Sequence, residues 1–127
     1  MSLFQEYSRP TTIKQALKDL SNSTGSVAII AGGTDLLLDL RQGRHDPVDK
    51  VIDVSGISEM QEISHKEGVI YLGAGVTHKQ IISDPIMKEH ALCVVEGCGL
   101  IGGPQVRNVA TIGGNVSHAL PAGDGTI

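Results

Sequence analysis

The sequence predicts an α+β fold in two lobes: a small α/β lobe over residues 1–56 and the first part of an antiparallel α+β lobe over residues 57–127. Three observations predict it. Up to Gly56 a helical period alternates with short, β-branched apolar runs, which read as buried parallel strands. After Gly56 two strand-like runs follow each other across a short turn, the mark of a hairpin. The chain has 127 residues, 40% hydrophobic and 19% charged, which suits one packed domain or two small lobes and is too apolar for disorder.

Each element has a local reason. Thr12 and Gln15 form a capping box after Pro10, and Ile13, Ala16, Leu17 and Leu20 follow at the spacing of one helix face. Ser21-Asn22-Ser23-Thr24-Gly25 ends that helix. Residues 27–31 form an apolar strand, Gly32-Gly33-Thr34-Asp35 breaks it, and residues 36–41 resume as a short helix. A further buried strand is expected at 51–54, after the Asp46-Pro47 turn. The hairpin joins 60–65 to 69–73 through Lys66-Glu67-Gly68. Thr77 caps a helix reaching Ile82, Asp84-Pro85 opens another, and 91–101 is apolar enough for a buried helix. From Gly102 onward the chain reads as loop.

Composition excludes several functions. Phe4, Tyr7 and Tyr71 are the only aromatic residues, too few for base-stacking platforms, and a net charge of -4 without a basic cluster argues against nucleic acid. No apolar run is long enough to span a membrane, and the first residues lack the pattern of a signal peptide, so the cytoplasm is the expected location. Cys93 and Cys98 are spaced for neither a zinc site nor a CxxC motif and read as free, buried thiols. Five scattered histidines give no metal site, and no motif for a catalytic nucleophile is present. Glycine is in excess, with eight of 16 between Gly97 and Gly125.

Two diglycine segments carry the chemistry. In Ile29-Ile30-Ala31-Gly32-Gly33-Thr34-Asp35-Leu36 a strand runs through glycines into a helix start, where amides and the helix dipole suit a pyrophosphate. The same residues also describe an ordinary tight turn with Thr34 or Asp35 as N-cap. It is not a P-loop, because no Gly-Lys-Ser/Thr follows. In Asn108-Val109-Ala110-Thr111-Ile112-Gly113-Gly114-Asn115 a second diglycine is flanked by hydrogen-bonding side chains. Either alone is a turn; together they suggest two grips on one extended polar ligand. Gly73-Ala74-Gly75 lacks the third glycine of a dinucleotide fingerprint. Arg107 is a loop anchor or a partner contact, and Asp124 either accepts from a ribityl or ribose hydroxyl or caps a helix.

The segments Ala31-Gly32-Gly33-Thr34-Asp35-Leu36-Leu37 and Gly103-Pro104-Gln105-Val106-Arg107-Asn108-Val109-Ala110-Thr111-Ile112-Gly113-Gly114-Asn115 resemble the two FAD-binding signatures of the molybdenum hydroxylases. The resemblance is to their medium subunits, of xanthine, carbon monoxide and nicotinate dehydrogenase type. Tyr71-Leu72-Gly73-Ala74-Gly75-Val76-Thr77 and Pro121-Ala122-Gly123-Asp124 fit as well. It implies a two-lobed FAD domain of the vanillyl-alcohol oxidase and enolpyruvyl-glucosamine reductase type, with the second lobe incomplete. It implies FAD as cofactor, held at its pyrophosphate by Ile29 through Leu36, with polar contacts from Thr111 and Asn115 in the segment Thr111 through Asn115. Ile101 matches a position beside the flavin, and Asp124 one that hydrogen-bonds the cofactor.

The implied role is electron transfer within an oxidoreductase. Partners would be a molybdenum-cofactor large subunit and an iron–sulfur small subunit, with NAD+ or another acceptor receiving electrons; no residue of this chain is expected to be catalytic or to bind metal. Family members continue for roughly as long again, so the chain is expected to be a fragment that is inactive alone. It is expected to bind FAD weakly or not at all and to self-associate through apolar faces around Val94, Leu100 and Ile112. The alternative is a non-catalytic remnant or assembly module of the same fold. A free-standing flavin reductase of the enolpyruvyl-glucosamine type matches the second signature less well.

Overall fold

The computed structural model describes residues 2–119 and 123, and the chain divides into two units, Met1–Glu59 and Met60–Ile127. The first unit runs β1 (Phe4–Ser8), α1 (Ile13–Asn22), β2 (Val27–Ile30), α2 (Leu36–Gln42) and β3 (Val48–Asp53). Its strands form one parallel sheet in the order β1-β3-β2. Tyr7 aligns with Val51, and Ile30 aligns with Asp53. β3 takes the centre because Val48, Val51 and Ile52 are all buried, so it is covered on both faces as well as paired on both edges.

Three features of this unit differ from the sequence reading. β3 begins at Val48, three residues before the expected start, and ends at Asp53. β1 was not anticipated, because Gln5 and Glu6 interrupt any apolar run; pairing with β3 defines it. On the α1 stripe Ile13, Leu17 and Leu20 are exposed, Leu17 at 61%, while Ala16 of the stripe and Asp19 are half-buried. Periodicity identifies an apolar side of a helix but not what covers it. At its start, the Gln15 amide donates to Thr12 Oγ1 at 3.2 Å as expected. The Gln15 side chain, however, accepts from the Thr11 amide at 3.0 Å rather than from Thr12.

The second unit contains β4 (Ile63–Lys66), β5 (Val69–Leu72), α3 (His78–Ser83), α4 (Pro85–His90), α5 (Leu92–Leu100), α6 (Pro104–Arg107) and α7 (Ile112–His118). β4 and β5 form the expected antiparallel hairpin. Its turn is the pair Glu67-Gly68, with φ of 51° and 75°, and two left-handed residues are what a two-residue type I′ turn requires. Thr77 supplies a complete capping box with Gln80, and Asp84 accepts from the Met87 amide at the start of α4. Val76, Ile81, Met87, Val95, Cys98 and Ile112 make the core, with Ile63, Ile70 and Leu72 of the hairpin packed against it.

Among the described residues after Gly102, Pro104–Arg107 and Ile112–His118 are helical rather than loop. Pro104 sits in the first turn of α6, where its missing N–H costs nothing, and Thr111 caps α7 through the Gly114 amide. Glycines at 113 and 114 lower helix propensity, but tertiary hydrogen bonds fix the backbone there and override it. Ile112 is therefore a core residue, not an uncovered one, whereas Leu100 is 77% exposed. Cys98 is buried as expected; Cys93 is exposed, since it falls on the outer side of α5.

Candidate functional site

In the first unit the diglycine segment sits at the carboxyl end of β2, an edge strand of the parallel sheet. Such ends are where open α/β sheets commonly take ligands. Ile30 O accepts from the Val54 amide at 2.8 Å, which ties the end of β2 to the end of β3. Gly33 is left-handed at φ 70°, and a Cβ there would lie 2.7 Å from Ile30 Cδ1 and 3.1 Å from Leu37 Cδ1. The turn thus requires glycine at this position before any ligand is considered. Asp35 is the N-cap of α2, but its side chain makes no capping bond; Thr34 Oγ1 donates to Asp35 Oδ2 at 3.4 Å instead. The ordinary-cap reading of Thr34 or Asp35 therefore does not hold for their side chains. Ile30, Ala31, Gly32, Gly33, Thr34 and Leu36 are half-buried, while Ile29 and Asp35 are exposed.

A polar network occupies the same end of that sheet. Tyr7 Oη donates to Asp53 Oδ2 at 2.6 Å, and the Ser55 amide donates to Asp53 Oδ1 at 2.8 Å. Arg9 Nε stands 3.8 Å from the same carboxylate. Burial alone would raise the Asp53 pKa, but the bonds from Tyr7 and Ser55 and the Arg9 charge outweigh it and hold it below the usual carboxylate value.

The second diglycine, in the second unit, is built differently. The amides of Ile112 and Gly113 donate to Val76 O and Ala74 O, each at 3.0 Å, and the His78 amide donates to Ala110 O at 3.1 Å. The Gly114 amide donates to Thr111 Oγ1 at 3.0 Å, and the Asn115 amide to Thr111 O at 3.0 Å. The amides of residues 112–115 are therefore already used inside the protein. Asn115 is half-buried and Thr111 buried. The partner of this segment is the turn 73–77, which pairs with it through the isolated bridge between Thr77 and Thr111. Within that turn Gly73 and Gly75 lie against Met60 O, at 2.3 Å and 3.0 Å from where a Cβ would be.

Two further features frame this second segment. His78 Nδ1 lies 3.4 Å from Cys98 Sγ in the core; burial lowers the His78 pKa and raises that of Cys98, so both stay neutral near pH 7. Ile101 is half-buried just after α5, and its carbonyl accepts from Arg107 Nη1 at 3.0 Å. Asp124 lies outside the described residues. Among the described residues, no group of three or more metal-ligating side chains is present, and no helix is long and apolar enough to cross a membrane.

Comparisons with known proteins bear on both segments. A family model described as "FAD binding domain in molybdopterin dehydrogenase" matches residues 2–127. The nicotinate dehydrogenase FAD-subunit of Eubacterium barkeri is 38% identical over 122 residues, covering 94% of this chain and 40% of that protein. The xanthine dehydrogenase FAD-binding subunit of Escherichia coli is 32% identical over 122 residues, covering 95% and 41%. Among solved structures, carbon monoxide dehydrogenase from Hydrogenophaga pseudoflava superposes with a TM-score of 0.85 at 31% identity, covering 90% of this chain and 39% of that one. The chain thus spans about 40% of the length of the curated relatives it matches.

Proposed function

The chain belongs to the family of FAD-binding domains of molybdopterin dehydrogenases, and from that premise we propose that it holds FAD and relays electrons within a molybdenum hydroxylase. In this reading the segment Ile29 through Leu36 receives the cofactor pyrophosphate. The observation that carries it is the α2 start: a glycine-lined strand-to-helix junction at which the Asp35 side chain makes no capping bond, while the Leu37 amide donates to Gly33 O. An anion with several oxygens suits such donors.

Thr111 and Asn115 add polar contacts from their side chains, Ile101 lies beside the flavin ring, and Asp124 accepts from a hydroxyl of the cofactor. The flavin, when bound, accepts electrons and passes them on; the residues of this chain only bind and orient it. Electrons would reach it from an iron–sulfur subunit served by a molybdenum-cofactor subunit and leave to NAD+ or another acceptor. Relatives named as FAD subunits of dehydrogenases support this partnership.

The test is a flavin fluorescence titration of the chain with FAD and, separately, with riboflavin. The expected result is saturable, weak binding of FAD that ADP competes away, with no binding of riboflavin. Equal binding of both flavins would remove the pyrophosphate role from the first segment. Absence of saturable FAD binding at millimolar concentration both in this chain and in the full-length protein that carries it would overturn the reading.

A further inference from the structure

We infer that Arg107 is a positioning residue that sets the turn at Ile101 and Gly102 for contact with the flavin, an inference that rests on the FAD reading above. α5 ends at Leu100, and Gly102 turns left-handed at φ 45° before α6 begins at Pro104. A single nitrogen of Arg107, Nη1, donates to two successive carbonyls, Ile101 O at 3.0 Å and Gly102 O at 2.7 Å. That nitrogen carries two hydrogens, one for each carbonyl, in a fixed plane. Gly102 also lies tight on α6, where a Cβ would come within 3.1 Å of the Val106 side chain.

Burial does not explain the fixed shape of this turn. Ile101 and Gly103 are half-buried, Gly102 is exposed, and none belongs to the core. The links on either side of α4 are single residues, Asp84 and Ala91, whose neighbours Met87 and Val95 are core residues, and the α6–α7 link, 108–111, carries the buried Ala110 and Thr111. Between α5 and α6 a charged side chain holds a turn that the core does not cover. The clamp makes Ile101 a rigid apolar surface ready for a planar ring, and rigidity before binding lowers the cost of binding.

The experiment compares Arg107→Gln and Arg107→Lys with the unaltered chain in two arms. In the cofactor-free arm, hydrogen exchange at the amides of Ile101, Gly102 and Gly103 should rise in Arg107→Gln, with lysine restoring part of the protection; circular dichroism should be unchanged. In the second arm, Arg107→Gln should raise the FAD dissociation constant about tenfold, the scale of a lost charged hydrogen bond. It should also alter the absorption band shape of the bound flavin, which a merely structural staple would leave alone. Unchanged exchange in the first arm overturns the clamp. Altered exchange with unaltered FAD affinity and spectrum overturns its role toward the cofactor. If neither the unaltered chain nor the full-length protein that carries it binds FAD, the functional reading and this role fall together, whereas unaltered FAD affinity and spectrum in the variants remove Arg107 alone. Should Arg107→Gln fail to fold, the lysine variant carries both arms.

Discussion

The amide of Gly113 donates to the carbonyl of Ala74 at 3.0 Å, and a Cβ on Gly113 would lie 2.5 Å from that same oxygen. Two chain segments 39 positions apart in sequence meet so closely here that glycine is the only residue with room. Gly113 therefore serves the fold first, whatever it does for a ligand. The Gly113→Ala variant should lose about 1–3 kcal/mol of stability, since backbone atoms must shift. Urea denaturation followed by circular dichroism measures it, and a loss below about 0.5 kcal/mol would show that the two segments part easily.

Gly33 and Gly43 separate conformational strain from collision. Both are left-handed, at φ 70° and 68°, but a Cβ meets Ile30 and Leu37 at the first and open space at the second. Gly43→Ala should cost about 1 kcal/mol and leave FAD affinity unchanged. Gly33→Ala should cost more, about 2–3 kcal/mol, and weaken FAD. Equal stability losses would mean that the Ile30 and Leu37 side chains move aside freely.

Stability should peak between about pH 6.5 and 9.0, the ordinary values for histidine and cysteine from which His78 and Cys98 depart. Burial holds His78 neutral in the folded chain, so below pH 6.5 the unfolded chain binds more protons and stability falls with pH. Above pH 9.0 the unfolded Cys98 loses its proton while the buried thiol keeps it, so stability falls as pH rises. Thermal melting across pH 5–10 reads both limbs. His78→Gln should flatten the acid limb and leave the alkaline limb in place; an unchanged acid limb would assign it to other groups.

Tyr7→Phe removes the 2.6 Å bond to Asp53. The Asp53 carboxyl, now held below its ordinary value, should titrate at higher pH in the variant. Stability that depends on its ionised form would then be lost earlier on acidification. Carboxyl titration by NMR in both proteins checks the direction, and an unmoved Asp53 would leave Ser55 and Arg9 as its sole support.

A thiol reagent should modify one cysteine quickly in the folded chain and two after unfolding. Cys93 is exposed and Cys98 buried beside His78. Mass spectrometry of the singly modified protein should locate the label on Cys93. Rapid labelling of both would show that α5 opens readily.

Helix starts were the most legible part of this chain. Thr12, Thr77 and Asp84 each cap the helix that their position announces, because capping is settled within three residues. The Glu67-Gly68 turn was legible for the same reason, as was the strand-to-helix junction at Gly32-Gly33. α7 was not legible, because Gly113 and Gly114 argue against a helix unless the distant carbonyl of Ala74 is known to hold them. β1 escaped notice because a half-polar strand at a sheet edge exists only through its partner β3.

The candidate site divides along the same line. The sequence by itself determined the local chemistry: two diglycine segments, the hydroxyl of Thr111, the amide of Asn115 and the family resemblance that joins them. Only the tertiary structure decided how each is used. It spends the amides of Ile112 and Gly113 on Val76 and Ala74, and it commits Arg107 to the carbonyls of Ile101 and Gly102. It also leaves the Leu17 side of α1 exposed although its spacing is that of a buried face. Caps and tight turns close over a few neighbouring residues, whose identities suffice to fix them. A hydrogen bond or a covered face between distant segments depends on where the rest of the chain has gone, and no local pattern encodes that.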